Sequence, residues 1–406
     1  MYFLEDSDNS EDTAQMTQEK LLEKYKNSRK ISVGIPNDNK FPEYEKRVPL
    51  TPQGVKLLVD GGNEVVVQSG AGLAANYSDN EYSEHGAVIA ESMSQVYDSD
   101  IIIKVAPFTE KDTDLMKGNQ VVMSYLNILR LSEEVLKKLI EKRVTAIAFE
   151  SLRDVDGSLP IVESMSEISG VTSILMASEY LSNYLGGKGV MLGGITGITP
   201  TEVVILGANT AGKYAAKAAL GLGAQIIVFD DSLNKLRQFE SFIGHRVQTS
   251  VFHPQVLSKA LLSADVMIGA MELDDLRPWY YVSEDMVRTM KRGAVIIDLS
   301  IDRGGCIETT ECRTLAEPAY EKFGVIHFSA WNLPSRVART ASMALSNILC
   351  PLIQNMSDAG NTTTFLSHNP GTRQGVYLYN GILTNETLGS KFGMMSKNLD
   401  FMLSVY

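Results

Sequence analysis

Short apolar runs and longer amphipathic stretches alternate along the chain from Ile31 onward. The short runs are rich in β-branched residues and end at polar or turn-forming residues, which is typical of strands. Between them, the stretch "SEEVLKKLIEKR" carries its apolar residues at helical spacing. The alternation predicts βαβ units on a parallel sheet, with strands in "ISVGIP", "EVVVQSG", "IIIKVAP", "VVMSYLNI" and "VTAIAFES".

A second alternating series begins near Ser164 with the long helical candidate "SEISGVTSILMASEYLSNYL" and the glycine-rich "GGKGVMLGGITGITP". The strand-like runs that follow are separated by helical sequence, and together they supply the strands of a dinucleotide-binding domain. These runs are "EVVILG", "QIIVFDD", "DVMIGAM", "GAVIIDLS" and "GVIHFSA".

The two series predict an α/β protein of two domains, a Rossmann-type doubly wound parallel sheet and a second α/β domain that binds the substrate. The polar first thirty residues predict a flexible extension. We expect the extension over 1–30, the first part of the substrate domain over 31–160, the dinucleotide-binding domain over 161–333 and a returning C-terminal segment of the substrate domain over 334–406.

Composition and charge narrow the class of function. The chain has 406 residues, of which 44% are hydrophobic, and its net charge of −12 offers no basic surface for nucleic acid. No apolar stretch reaches the roughly 20 residues of a membrane helix, and the acidic N-terminus is unlike a signal peptide. The histidines lack the paired spacing of a metal site. We therefore expect a cytoplasmic protein with a small-molecule substrate and neither a nucleic-acid nor a membrane partner.

The segment "ILGANTAG" resembles the dinucleotide fingerprint G-x-G-x-x-G. Gly207 and Gly212 fill the first and third glycine positions, and Asn209 stands at the second, where a side chain would weaken the pyrophosphate contact. An acidic residue about 20 positions on binds the ribose hydroxyls in such domains, and Asp230 follows at that spacing. A carboxylate there favours NAD over NADP. The alternative is a tight strand-to-helix connection without a ligand.

Several further motifs are more specific, and through them the chain resembles the alanine dehydrogenases, whose fold is shared with the N-terminal part of the nicotinamide nucleotide transhydrogenases. The resemblance runs from about Ile31 to the C-terminus. It is carried by "EKRVPLTPQGVKLLVDGGNEVVVQSGAG", "IIIKVAP", "VTAIAFE", "DGSLPIVESMSEISG", "GGKGVMLGGITGITP", "SIDRGGCIETT" and "NLPSRVARTAS".

The resemblance implies roles for individual residues on the substrate side. Arg47 would bind the substrate carboxylate, and Lys104 would polarise the keto oxygen or help to hold the carboxylate. Asp302 would handle protons beside the nicotinamide. Without the resemblance, Arg47 and Lys104 would be interpreted as surface charges, and Asp302 as a turn-capping residue before Gly304.

The same resemblance assigns the cofactor contacts and the assembly. NAD would contact Ser166, the turn with Gly207, Asn209 and Gly212, the ribose site at Asp230, and Asn332 near the nicotinamide. The protein would be a homo-oligomer, a hexamer by resemblance.

Two segments depart from the family pattern. Alanine dehydrogenases place a histidine in the stretch that reads "SYLNIL" here, where Asn127 stands. An amide can hydrogen-bond a substrate carbonyl but cannot exchange a proton near neutral pH. Where relatives carry a Pro-Gly-Lys-Ala-Pro-type loop, this chain has "MELDDLRPWYY", with the acids Glu272, Asp274 and Asp275.

The leading hypothesis is NAD-dependent oxidative deamination of L-alanine to pyruvate and ammonium, in both directions. In this hypothesis Asp302, Lys104 and Asn127 would form the catalytic set. Two alternatives stay open, a dehydrogenase for another small amino or keto acid and a catalytically silent, regulatory NAD-binding homologue.

Overall fold

The computed structural model describes residues 31–38, 45–128, 131–273 and 280–404. The extension predicted over residues 1–30 lies outside the described residues, and so do Asp274 and Asp275. Within the described ranges, no helix is both long enough and apolar enough to span a bilayer.

The first half begins with six short strands connected by helices. Its central strands β4, β5 and β6 are buried at every residue, as expected for parallel strands covered on both faces. The strands are β1 (Ser32–Ile35), β2 (Glu64–Gln68), β3 (Val88–Ala90), β4 (Ile101–Ile103), β5 (Val121–Ser124) and β6 (Thr145–Ala148). The helices are α1 (Pro52–Asp60), α2 (Asp79–Glu84), α3 (Met93–Val96), α4 (Glu110–Leu115) and α5 (Glu133–Glu141).

The second half opens with a 22-residue helix and continues with a second strand series. Along its first strand, β7, Val203 and Ile205 enter one apolar cluster, whereas Val204 and Leu206 enter another on the opposite face. The strands are β7 (Glu202–Leu206), β8 (Gln225–Asp230), β9 (Gln248–Val251), β10 (Val266–Gly269), β11 (Val295–Asp298), β12 (Ala319–Lys322) and β13 (Val325–Phe328). The helices are α6 (Pro160–Leu181), α7 (Thr210–Gly221), α8 (Leu233–Ile243), α9 (Pro254–Ser263) and α10 (Glu284–Arg288).

The C-terminal part starts with a long helix that packs against both α1 and α6, and so touches both halves. The chain then adds two strands, which join the first sheet beside β6. These elements are α11 (Ala338–Asp358), α12 (Thr362–His368), α13 (Pro370–Arg373), β14 (Val376–Tyr379), β15 (Ile382–Leu383), α14 (Glu386–Phe392) and α15 (Leu399–Leu403).

The two described sheets repeat one topology. The first has the order β15-β14-β6-β5-β4-β1-β2-β3, and the second has the order β12-β13-β11-β10-β7-β8-β9. In both, the first strand of the half is central and the chain winds outward to either side, which is the doubly wound arrangement. The predicted α/β class and Rossmann-type sheet are confirmed. The sheets are mixed rather than purely parallel, because β14, β15 and β12 pair in antiparallel fashion at the edges.

Candidate active site

A cleft of about 1080 Å³ lies between the two halves and is lined by residues of both. Its volume is at the upper end of the range for ligand sites, which suits a large ligand. The structure brings many of the predicted site residues together on its walls: Arg47, Asn127, Ser166, Asn209, Asp302 and Asn332. Lys104, Gly207, Gly212 and Asp230 are not among the residues that line this cleft.

Arg47 lies in the segment before α1, and its guanidinium is held by Glu45. Its Nε donates to Glu45 Oε1 at 2.8 Å and its Nη2 donates to Glu45 Oε2 at 2.7 Å. Nη1 lies 3.3 Å from the sulfur of Met165. Burial lowers the pKa of Arg47, but the Glu45 carboxylate more than offsets this effect and the pKa is raised. Arg47 therefore presents a fixed, permanently charged group to the cleft.

Lys104 follows β4 and is buried in an ion cluster behind the cleft wall. Its Nζ lies 2.9 Å from Asp38 Oδ1 and 3.2 Å from Asp112 Oδ2. Burial lowers the pKa of Lys104, whereas the two carboxylates raise it above its ordinary value. The next residues, Val105 and Ala106, line the cleft. In this structure the ammonium is thus engaged by two carboxylates rather than presented to the cleft.

Asn127 follows β5 and adopts a left-handed backbone conformation with φ 48°. Asparagine tolerates this region better than most residues. Its N–H donates to Glu150 Oε1 at 2.7 Å, and the N–H of Leu126 donates to Glu150 Oε2 at 3.3 Å. The carboxylate of Glu150 therefore fixes the backbone from which the Asn127 side chain extends.

The sequence did not point to two titratable residues beside Asn127, which are Glu150 and Tyr125. Burial raises the pKa of Glu150 to about 7. Tyr125 lines the cleft, and burial followed by the Glu150 and Asp302 charges raises its pKa to about 12. The only local signal for either was its position at the end of a predicted strand, in "VVMSYLNI" and "VTAIAFES".

Asp302 lies in a 3₁₀ turn, Ile301–Arg303, just after β11, and is exposed in the cleft. The turn is anchored by Asp298, whose side chain accepts hydrogen bonds from the N–H groups of Ser300 and Cys306 and from the Thr310 hydroxyl. Burial raises the pKa of Asp298 to about 6. The sequence pattern identified Asp302 but not the buried aspartate that holds its turn.

The glycine turn joins β7 to α7 and faces the cleft through Asn209, Thr210 and Ala211. A side chain at Gly207 would overlap the carbonyl of Ala270, and one at Gly212 would overlap the carbonyl of Gly207. Gly207 is therefore required for the close approach of the chain after β10, and Gly212 for the close approach of helix and strand. The 12-residue helix α7 directs its N-terminus toward the cleft.

Asn209 caps this helix instead of crowding it. Its Oδ1 accepts from the N–H of Gly212 at 3.1 Å, and its Nδ2 donates to the carbonyl of Ala270. Asp230, at the end of β8, accepts from the N–H of Ala208 at 2.7 Å and from that of Ser232 at 2.8 Å. The glycine turn and the helix N-terminus therefore fit the pyrophosphate of a dinucleotide, whereas Asp230 is only 2% exposed and its carboxylate holds the backbone of the turn behind the cleft.

The remaining predicted contacts lie on the walls of the cleft. Ser166 belongs to α6, and Asn332 follows β13 with φ 60°. The amide of Asn332 donates to Glu45 Oε2 at 3.1 Å. Glu272 also lines the cleft, but its carboxylate is paired with Lys235 at 2.6 Å.

Two family models together match most of the chain. Residues 34–169 match the family model described as "Alanine dehydrogenase/PNT, N-terminal domain", and residues 173–386 match "Alanine dehydrogenase/PNT, C-terminal domain". An alanine dehydrogenase of Staphylococcus epidermidis is 36% identical over 89% of this chain and 97% of its own length. One of Methanococcus maripaludis is 37% identical over 88% of this chain and 95% of its own length.

The solved structure of an L-alanine dehydrogenase superposes with a TM-score of 0.83 at 32% identity. The superposition covers 89% of this chain and 99% of that structure. The resemblance of motifs, the two doubly wound sheets and these matches lead to one conclusion: the chain belongs to the alanine dehydrogenase/PNT family.

Proposed function

We propose that this protein catalyses the NAD-dependent oxidative deamination of L-alanine to pyruvate and ammonium, and the reverse amination. Its relatives are named for this activity. The observation that carries the proposal is one cleft in which Arg47 and Asp302 face a helix N-terminus suited to a dinucleotide. In the forward direction alanine, water and NAD⁺ give pyruvate, ammonium, NADH and a proton.

Arg47 binds the substrate carboxylate in this mechanism. Glu45 occupies its Nε and one proton of Nη2. On the opposite side, Nη1 contacts the sulfur of Met165, a weak acceptor that a substrate carboxylate would replace. Asp302 exchanges protons with water during the imine and carbinolamine steps, since it is exposed in the cleft. The Asn127 amide orients the carbonyl oxygen without exchanging a proton.

Lys104 has a supporting part, because Asp38 and Asp112 already hold its ammonium. We assign Lys104 to the fixed charges that lie behind Val105 and Ala106 in the wall of the cleft. When bound, NAD supplies the hydride acceptor or donor at the substrate Cα. The residues that would hold it are Ser166, Gly207, Asn209, Gly212, Asp230 and Asn332.

The test is the appearance of NADH when purified protein meets L-alanine and NAD⁺ at mildly alkaline pH. Arg47→Ala should raise the KM for L-alanine by about 100-fold, because a charge-assisted hydrogen-bonded pair contributes about 3 kcal/mol. Asp302→Asn should lower kcat by 100-fold or more, as expected on loss of a general acid-base group. Arg288→Ala is the matched control, since Arg288 pairs with Glu284 on the surface.

Asn127 favours a second candidate, a catalytically silent homologue that binds NAD without turnover, and it also leaves room for another small amino or keto acid. Retained NAD binding with no turnover of any small amino acid would support the silent homologue. Absence of both NADH formation and NAD binding would overturn the dehydrogenase proposal.

We also propose that the protein is a homo-oligomer, a hexamer by resemblance to its family. The segment between α6 and β7 supports an interface, because Tyr184, Met191, Ile195 and Ile198 are all exposed there. Monomeric proteins rarely leave large apolar surfaces open to water.

A further inference from the structure

Glu45 is a buried carboxylate with an unusual number of donors, and it lies at the point where the two halves meet. It is only 6% exposed. Three of its hydrogen bonds come from Arg47, through the backbone N–H, Nε and Nη2. Two more come from the Asn332 amide at 3.1 Å and the Ser335 hydroxyl at 3.4 Å.

The contact with Arg47 fixes the plane of the guanidinium. Two parallel N–H···O bonds to one carboxylate leave a planar fork little freedom to rotate. Glu45 binds the Nε edge of the guanidinium, so the opposite edge, where Nη1 meets the sulfur of Met165, is the one that faces the cleft. The position of Glu45 thus determines where a second carboxylate can bind.

The contacts with Asn332 and Ser335 come from the segment between β13 and α11, where the second half of the chain passes into the C-terminal part. The same segment and α11 hold the backbone around Arg47. Ser335 accepts from the N–H of Lys46 at 2.7 Å, Ser342 from that of Val48 at 2.9 Å, and Ser346 from that of Thr51 at 3.1 Å. The segment that contains Arg47 is therefore attached along its length to the turn and helix that directly follow Asn332.

We infer that Glu45 is a positioning residue that orients Arg47 for the substrate carboxylate and couples it to Asn332 on the cofactor wall. The inference rests on the proposed function and adds to it a link between substrate and cofactor binding. Arg47 and Asn332 share one acceptor, Glu45, so a shift of either donor displaces the other.

A carboxylate suits this arrangement. The hydrogen bonds of Glu45 within the described residues are all ones that it accepts, from the Arg47 guanidinium and N–H, the Asn332 amide and the Ser335 hydroxyl. A glutamine has a single acceptor oxygen, and its NH₂ group would face another donor. Glu45→Gln therefore preserves shape and volume while it removes the charge and half of the acceptors.

The test measures binding of sodium oxamate, an inert carboxylate shaped like pyruvate, by calorimetric titration with and without saturating NADH. In the wild type, NADH should tighten oxamate binding. In Glu45→Gln, the Kd of oxamate should rise by about 10-fold or more, and NADH should change it by less than about 2-fold. Glu45→Asp, which keeps the charge, should recover part of the coupling.

Glu81→Gln is the matched control, because Glu81 also accepts a backbone N–H and a hydroxyl, in the capping box of α2. It should lower the melting temperature and leave oxamate binding and its coupling to NADH unchanged. Wild-type coupling in Glu45→Gln would overturn the inference, and so would a wild type that binds no oxamate. Loss of alanine turnover alone, with oxamate binding and coupling intact, would overturn only the proposed function.

Discussion

At the scale of single residues, the family resemblance pointed to Asn127 but not to the carboxylate behind it. Glu150 stands at the end of "VTAIAFES", where a glutamate is as readily a surface charge. Its role follows from the pairing of β6 with β5, which places it beside the segment that follows β5. Contacts between segments so far apart along the chain leave no local periodicity, so the sequence could not reveal them.

Glu150 should make the stability of the protein depend on pH. Burial raises its pKa from 4.5 to about 7, so the folded chain binds this proton more tightly than the unfolded chain does. The resulting stabilisation is complete below pH 4.5 and is lost as the pH rises through 7. The shift corresponds to about 3 kcal/mol. Urea unfolding at a series of pH values should show this loss in the wild type and not in Glu150→Gln.

The exposed Glu133→Gln provides the control for that substitution, since its side chain lies at the surface at the start of α5. Its stability curve should follow that of the wild type at every pH. Parallel curves for the wild type and Glu150→Gln would show that the prediction is wrong.

At the scale of elements, "ILGANTAG" predicted a strand, a glycine turn and a helix, and all three are present as β7, the turn and α7. The sequence identified Asn209 only as a side chain in place of a glycine. Its function as the N-cap of α7 follows from its position before the helix, whereas its second bond, to Ala270, depends on the neighbouring strand β10. A cap toward the following helix is readable from local sequence, whereas a bond to another strand is not.

Asn209→Gly should separate stability from cofactor affinity. Loss of the cap to Gly212 and of the bond to Ala270 should lower the free energy of unfolding by about 1 kcal/mol. Removal of the side chain also opens the turn to a pyrophosphate, so NADH should bind a few-fold more tightly. Urea denaturation and fluorescence titration with NADH measure the two effects. Gly212→Ala is the contrasting variant. It should lower both the free energy of unfolding and the affinity for NADH, because its methyl group would overlap the carbonyl of Gly207.

At the scale of the whole molecule, alternation of strands and helices predicted the α/β class, and the structure confirms it. The edges of the sheets were less predictable. None of the edge strands β12, β15, β3 and β9 is buried along its whole length, so they lack the two-sided burial that marks the central strands. The cleft itself depends on how the two halves meet, which is a property of packing between distant segments.

Assembly is also decided at this scale, and the exposed apolar segment between α6 and β7 provides the test. Ile198 is 66% exposed and pairs with Ile195 through an isolated bridge at the tip of this segment. Burial of such side chains against a second copy stabilises an interface, and a charge placed there stays unpaired and costs several kcal/mol. Ile198→Asp should therefore reduce the particle mass measured by light scattering after gel filtration. Met395→Asp, at a position 88% exposed near the C-terminus, should leave the mass unchanged. A wild type that already elutes with the mass of a single chain would contradict the proposal that this surface joins copies of the protein.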